Sequence, residues 1–167
     1  MTIQILHEKF SNHRVRQSIL RLLEENALCS ISTVTPRNRA YINTAYFAYS
    51  QNVELFFYSY PDSRHSKNLE RNPSMAITIF RSAQAWGNPD RGMQLFGSCK
   101  EAHGKLAVRA ERTYASRFPA FKKWKDDLER EEGFGLQAYR FMPASVKLLD
   151  EPKFGGGVFI IASLKTC

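Results

Sequence analysis

The sequence predicts an α+β fold: an antiparallel β-barrel of about six or more strands with helices at its periphery. Three observations carry this expectation. Helical periodicity near the N-terminus gives way to the alternation of a strand. Aromatic and β-branched segments then follow one another across turns too short for parallel crossovers. Finally, after a long polar helical stretch, the chain returns to β-like sequence.

Residues 11–26 read as an amphipathic helix. Val15, Ile19, Leu22 and Leu23 recur at three- and four-residue spacing, helped by the alkyl part of Arg16, while Arg14, Arg21, Glu24 and Glu25 fall elsewhere. Ser11 or Asn12 offers a cap and Asn26 a stop. Residues 28–34 alternate apolar with small polar side chains, 36–39 form a turn, and 40–49 form a second strand. Residues 50–52 turn again and 53–59 form a third strand, giving an antiparallel meander. A short helix spans 63–71 and closes at Asn72-Pro73. Strands at 75–80 and 92–99 flank a loop, residues 81–91, that holds Trp86-Gly87 and Pro89-Asp90. Helical sequence runs from about His103 to Arg117. After Phe118-Pro119 a highly charged helix ends near Glu132-Gly133. Residues 136–141, 146–149 and 158–161 complete the β pattern, and no internal repeat is present.

A chain of 167 residues lies in the single-domain range, so one domain over residues 1–167 is expected. With 43% hydrophobic and 24% charged residues, the composition is that of a globular protein. No apolar run approaches the roughly 20 residues that span a bilayer. Gln4, His7 and Glu8 interrupt the apolar core a signal peptide would need, which points to the cytoplasm. Cys29, Cys99 and Cys167 are odd in number, far apart and without a C-x-x-C pair. They read as two buried strand cysteines and one at a loose terminus, forming neither a disulfide framework nor a zinc site. The net charge of +8 favours polyanions or phosphorylated ligands as partners. Long aromatic strands in so short a chain leave apolar surface that a dimer would cover.

The segment Tyr58-Ser59-Tyr60-Pro61-Asp62-Ser63-Arg64-His65-Ser66-Lys67 is the most informative. A strand delivers the Ser59 hydroxyl, a tight polar loop follows, and a helix opens. Helix N-termini present unpaired N–H groups and the positive dipole end, which suit phosphate. Ser63, Arg64, His65 and Ser66 add donors in that first turn, and arginine can grip phosphate oxygens in bidentate fashion. The alternative is a solvated basic helix that packs Leu69 inward, its first-turn donors serving only as caps.

These pieces, in order, resemble the FMN-binding family of the pyridoxamine 5′-phosphate oxidase type. The resemblance rests on Phe57-Tyr58-Ser59, on Asp62 to Leu69 with Asn72-Pro73 closing it, and on Gly92-Met93-Gln94-Leu95-Phe96-Gly97. It covers roughly residues 15–102. Beyond them, Tyr114, Arg117-Phe118-Pro119 and Phe154-Gly155 resemble an uncharacterised small-protein branch of the family. It implies an antiparallel Greek-key split β-barrel with peripheral helices, and a homodimer with FMN at the interface. It also implies site residues: Tyr58, Ser59 and Arg64 at the FMN phosphate, and Gln94 meeting the flavin, often from across the subunit interface. The strand Asn43, Thr44, Ala45, Tyr46 is implied to lie along the isoalloxazine ring.

Two departures from the family pattern matter. Where the family follows its arginine with lysine, this chain has His65, with Lys67 two positions on. Histidine need not be charged at neutral pH, so FMN affinity is expected to weaken between about pH 6 and 8 unless Lys67 supplies the charge. The second departure is the segment 154–164, which lacks the arginine and histidine that hold substrate in the vitamin B6 oxidase, so oxidation of pyridoxamine phosphate is not expected. An FMN-dependent oxidoreductase is the leading expectation, because flavin chemistry needs no protein nucleophile. A haem- or flavin-holding barrel without turnover is the alternative, with His103 as the candidate haem ligand. A nucleic-acid-binding barrel, stacking bases on Tyr41, Tyr46 and Tyr49, ranks below both, since no RNA-binding signature is present. Trp86 reads as a core or interface residue, with stacking near a flavin or substrate as the alternative, and the helix over 122–131 as solvated and laced with i,i+4 pairs. His7, His13 and His103 have no metal-like spacing.

Overall fold

The computed structural model describes residues 2–5, 11–133 and 135–165. Cys167 and His7 lie outside them. The elements run β1 (Thr2–Ile5), α1 (Asn12–Glu25), β2 (Leu28–Val34), β3 (Ala40–Tyr46), β4 (Ala48–Tyr49), β5 (Leu55–Ser59), α2 (Arg64–Arg71) and β6 (Ser74–Phe80). They continue with β7 (Arg91–Glu101), α3 (Lys105–Arg117), α4 (Phe121–Glu132), β8 (Gln137–Asp150), α5 (Glu151–Phe154) and β9 (Phe159–Lys165).

All the strands pair antiparallel. From β3 the hydrogen-bonded ladder passes to β2, β6, β7, β8, β5 and β4, and the chain itself joins β3 to β4 at Phe47, so the sheet curls round into a barrel. The barrel is split at one place. The meander expected over residues 28–59 breaks at Phe47, whose ring is fully buried and whose N–H donates to the Ala27 carbonyl at 3.2 Å. Before Phe47 the chain pairs with β2; after it, β4 pairs with β5 through only Ala48↔Phe56 and Tyr49↔Leu55. The far edge of β3 therefore pairs with no strand among the described residues.

The two strands expected at 136–141 and 146–149 are halves of the single strand β8. Its first half lies between β5 and β7, its second between β7 and β9. Pro143 falls where β8 changes partner, the one stretch in which a missing N–H costs no ladder bond on that side. A register shift at Phe96/Gly97 bends the pair there. Gly97 is required: a Cβ would lie 2.1 Å from the Met142 carbonyl oxygen.

α1 packs Val15, Ile19, Leu22 and Leu23 into the main core with Ile31, Leu95, Phe141 and Val146. Each such fully buried side chain contributes about 1.5–3 kcal/mol. Ser11 caps α1, accepting from the Arg14 N–H at 3.4 Å. Arg117, at the end of α3, closes the other end of α1. It donates to the carbonyls of Leu23 (2.7 Å), Glu24 (3.3 Å) and Asn26 (2.7 Å), and to that of Phe47 (3.0 Å), over whose ring it stacks at 4.6 Å. Arg109 of α3 pairs with the buried Glu54 at 2.7 Å, and Arg140 of β8 reaches the same carboxylate at 3.4 Å. These contacts hold the helical insert, α3 and α4, across the split.

Candidate functional site

Ser59 ends β5 with its side chain buried. The chain turns through residues 60–62 and Ser63 caps α2, accepting from the Ser66 N–H at 3.4 Å. This geometry gathers four polar side chains. Ser59 Oγ lies 2.6 Å from His65 Nε2 and 3.0 Å from Ser63 Oγ; Ser63 Oγ lies 3.2 Å from the same imidazole nitrogen and donates to Ser66 Oγ at 2.8 Å. The main-chain N–H groups of Arg64 and His65 have no partner among the described residues, as the first turn of a helix leaves them. Burial pushes the His65 imidazole below its ordinary 6.5, so it is neutral at pH 7 in the free protein. The pH window expected from the sequence moves downward accordingly.

Next to this polar corner lies a cavity of about 600 Å³, within the ~300–1,000 Å³ usual for small-molecule sites. Asn43, Thr44, Ala45 and Tyr46 form one wall. Because the Phe47 N–H points to β2, alternation of the antiparallel ladder turns the main-chain groups of Thr44 and Tyr46 to the unpaired edge of β3. Asn43 Oδ1 is buried and accepts no hydrogen bond from the described residues. The opposite wall comes from the insert: Tyr114, Phe118, Ala120, Phe121 and Trp124. Tyr58 forms part of the lining, its ring 5.1 Å from Tyr114 and 4.6 Å from Phe121. Tyr46 meets Phe118 edge-on at 5.8 Å. Burial raises the Tyr58 and Tyr114 phenols, and the charges of Glu111 and Glu129 raise Tyr58 further, so both stay neutral.

The structure thus brings together Asn43, Thr44, Ala45, Tyr46, Tyr58, Ser59 and His65. Arg64 and Lys67 flank the polar corner on the exposed side of α2, and their side chains have no hydrogen-bond or ion-pair partner among the described residues. Gln94 is elsewhere. It shares a cross-strand row with Thr78, Ser30 and Thr44, three strands from β3, or roughly 14 Å at the usual strand spacing.

The sequence pattern does not single out Phe121 and Trp124, which sit three apart on the helix read there as solvated. Lys123–Asp127 and Lys125–Glu129 pair on it as expected, but the aromatic face turns to the cavity. Trp86 is fully exposed on its loop, which removes core packing as its role. His103 is also exposed, beside Glu101 and outside the cavity. Cys29 and Cys99 are buried; burial pushes the Cys29 thiol up to about 12 and Cys99 upward as well, so neither is a thiolate. No cluster of metal-binding side chains occurs among the described residues, and no helix there is long and apolar enough to cross a membrane.

The family model of pyridoxamine 5′-phosphate oxidase matches residues 15–149. The chain belongs to this family. No curated protein matches the chain. Among solved structures, the chain is similar to a Clostridium acetobutylicum protein related to general stress protein 26 of the pyridoxinephosphate oxidase family (12% identity, TM-score 0.65, 92% of this chain and 97% of that one). It is also similar to HutZ, the haem storage protein of Vibrio cholerae (18%, TM-score 0.63, 76% and 88%). A haem-binding protein from Mycobacterium smegmatis matches as well (14%, TM-score 0.71, 95% of this chain but 60% of that one). At such identities the likeness shows the fold: the split barrel of the pyridoxamine 5′-phosphate oxidase family, α+β and antiparallel. In this member of the family, the segment 154–164 lies in α5, the following turn and β9, which pairs with β8 and β1.

Proposed function

We propose that this chain binds FMN and works as an FMN-dependent oxidoreductase. The observation that carries the proposal is the pairing of a hydroxyl–imidazole corner at a helix N-terminus with a flat-walled cavity along an unpaired strand edge. The phosphate belongs at Ser59, Ser63 and the first-turn N–H groups of α2, with Arg64 and Lys67 free to swing onto it. The isoalloxazine ring belongs along Asn43 to Tyr46. There the Thr44 N–H, the main-chain groups of Tyr46 and the unpartnered Asn43 Oδ1 meet its polar edge, the Thr44 carbonyl already accepting from Asn43 Nδ2 at 3.4 Å. Bound FMN supplies hydride and electron transfer at its own ring. The protein orients that ring, keeps water from it with the aromatic wall, and holds a proton at His65.

A homodimer completes the site in this reading. The outer sheet face exposes Ile42, Phe80, Phe96, Phe159 and Ile161 around small residues such as Ser32 and Ala76, an apolar surface suited to a second copy. Gln94 lies on that face and reaches a flavin only from the partner. Pyridoxamine phosphate is not the substrate in this reading, because segment 154–164 carries no arginine, histidine or lysine and its second half is paired with β8. The free thiols of Cys29 and Cys99 suit a cytoplasmic address.

The test is to add FMN to the purified protein, pass it through a desalting column and measure retained flavin absorbance, with oligomeric state by sedimentation velocity. Retention of one FMN per chain in a dimer is expected. Failure to retain added FMN refutes the cofactor reading, and a Soret band on adding haem in its place would support the haem-holding alternative, which the structural likeness to a haem storage protein and a haem-binding protein makes worth the comparison.

A further inference from the structure

We infer that the α3–α4 insert builds a second ligand subsite facing the flavin position, and that its ligand is a neutral, planar aromatic compound rather than a phosphorylated or carboxylated one. The inference rests on the FMN reading and names the substrate class of that same site.

The insert contributes aromatic and small side chains to the cavity and no cation. Tyr114, Phe118, Phe121 and Trp124 face Asn43 to Tyr46 across it, and Ala120 leaves room between them. Their rings meet at 4.5–6.2 Å in tilted arrangements, a contact surface that takes a flat ring by stacking or edge-on contact. The cations of the insert nearest this wall are committed elsewhere. Arg117 serves the carbonyls at the end of α1, Arg109 serves Glu54, and Lys125 lies between Glu111 and Glu129 at 3.4 and 3.3 Å. Lys122 lines a different groove, on the far side of Tyr58. Among the described residues lining the cavity, the one group that takes a positive charge is His65, and it belongs to the polar corner. With a phosphate in that corner, an anionic second ligand would lie against an apolar wall with no counter-charge, whereas a neutral ring gains from that contact.

The test uses Trp124 as reporter in a Trp86→Phe background, since the chain has two tryptophans and Trp86 lies outside the cavity. FMN uptake is measured first; its failure refutes the cofactor reading alone, and the titration is then run on FMN-free protein with saturating inorganic phosphate in the corner. The probe is dimethylnaphthoquinone, fully substituted on its quinone ring so that it cannot alkylate cysteine; the comparator is pyridoxamine 5′-phosphate. Saturable quenching by the quinone is expected, with affinity at least about tenfold above the comparator and lowered about tenfold by Phe118→Ala. Should Phe118→Ala lose its fold by circular dichroism, Trp124→Ala read by equilibrium dialysis serves instead. Equal affinity for the two compounds, absence of saturable binding, or indifference to both substitutions would overturn the inference.

Discussion

Arg117 and Arg64 sit at two ends of the same neighbourhood and do opposite things. Arg117 is half-buried and saturated: four carbonyls accept from it and aromatic rings cover its face. Arg64, next to His65 at the start of α2, is exposed, and its side chain makes no polar contact among the described residues. Charge that is satisfied within the chain maintains the fold; charge left unsatisfied beside an organised polar corner is available to a ligand. The same contrast separates Arg109 and Arg140, both spent on Glu54, from Lys67.

Breaking the saturated side should have the largest effect. Arg117→Ala strands the last carbonyls of α1 and loosens the insert, and is expected to cost about 3 kcal/mol of stability by urea denaturation, taking roughly 1 kcal/mol per lost bond with partial recovery by water. A loss within experimental error would remove the clamp. On the unsatisfied side, Arg64→Ala should leave the urea midpoint unchanged and weaken FMN binding by about tenfold to a hundredfold, as loss of a charge-assisted contact does. Equal damage to stability and affinity would erase the distinction between the two arginines. Ser59→Ala should weaken FMN by about fivefold, one neutral hydrogen bond, measured by flavin fluorescence quenching.

The smallest effect concerns pH. Burial lowers the free His65 below 6.5, while a neighbouring phosphate favours the imidazolium. FMN binding therefore takes up a proton in a window that begins below 6.5. Affinity falls as pH rises through that window by less than about tenfold per unit, the ceiling for one proton, and levels off where bound His65 is neutral too. His65→Gln should flatten the profile, and His65→Lys should raise affinity at pH 8. A wild-type profile flat from pH 5 to 8 would take His65 out of the phosphate site.

Much of this was legible beforehand. The helix over 11–26 lies at Asn12–Glu25 with Ser11 as cap, and the junction from Ser59 into α2 is where local pattern placed it. These features depend on short-range rules of periodicity and capping, which act over a few residues. The family resemblance implied a split barrel, but where the split falls was not legible, because residues 40–49 have one continuous strand composition and only the burial of Phe47 divides them. The joining of 137–150 into one strand was hidden by Pro143, which is tolerated only because β8 changes neighbours there.

By itself, the sequence determined the element types, the polar corner and the family resemblance, since each lies within a contiguous stretch whose chemistry is local. Tertiary structure alone decided what faces that corner. Tyr114, Phe118, Phe121 and Trp124 are far in sequence from Asn43 and Ser59, and nothing in their helical spacing says which wall they form. That Gln94 lies three strands from the cavity was likewise settled by the register of the sheet, in which partners are chosen by packing across the whole barrel.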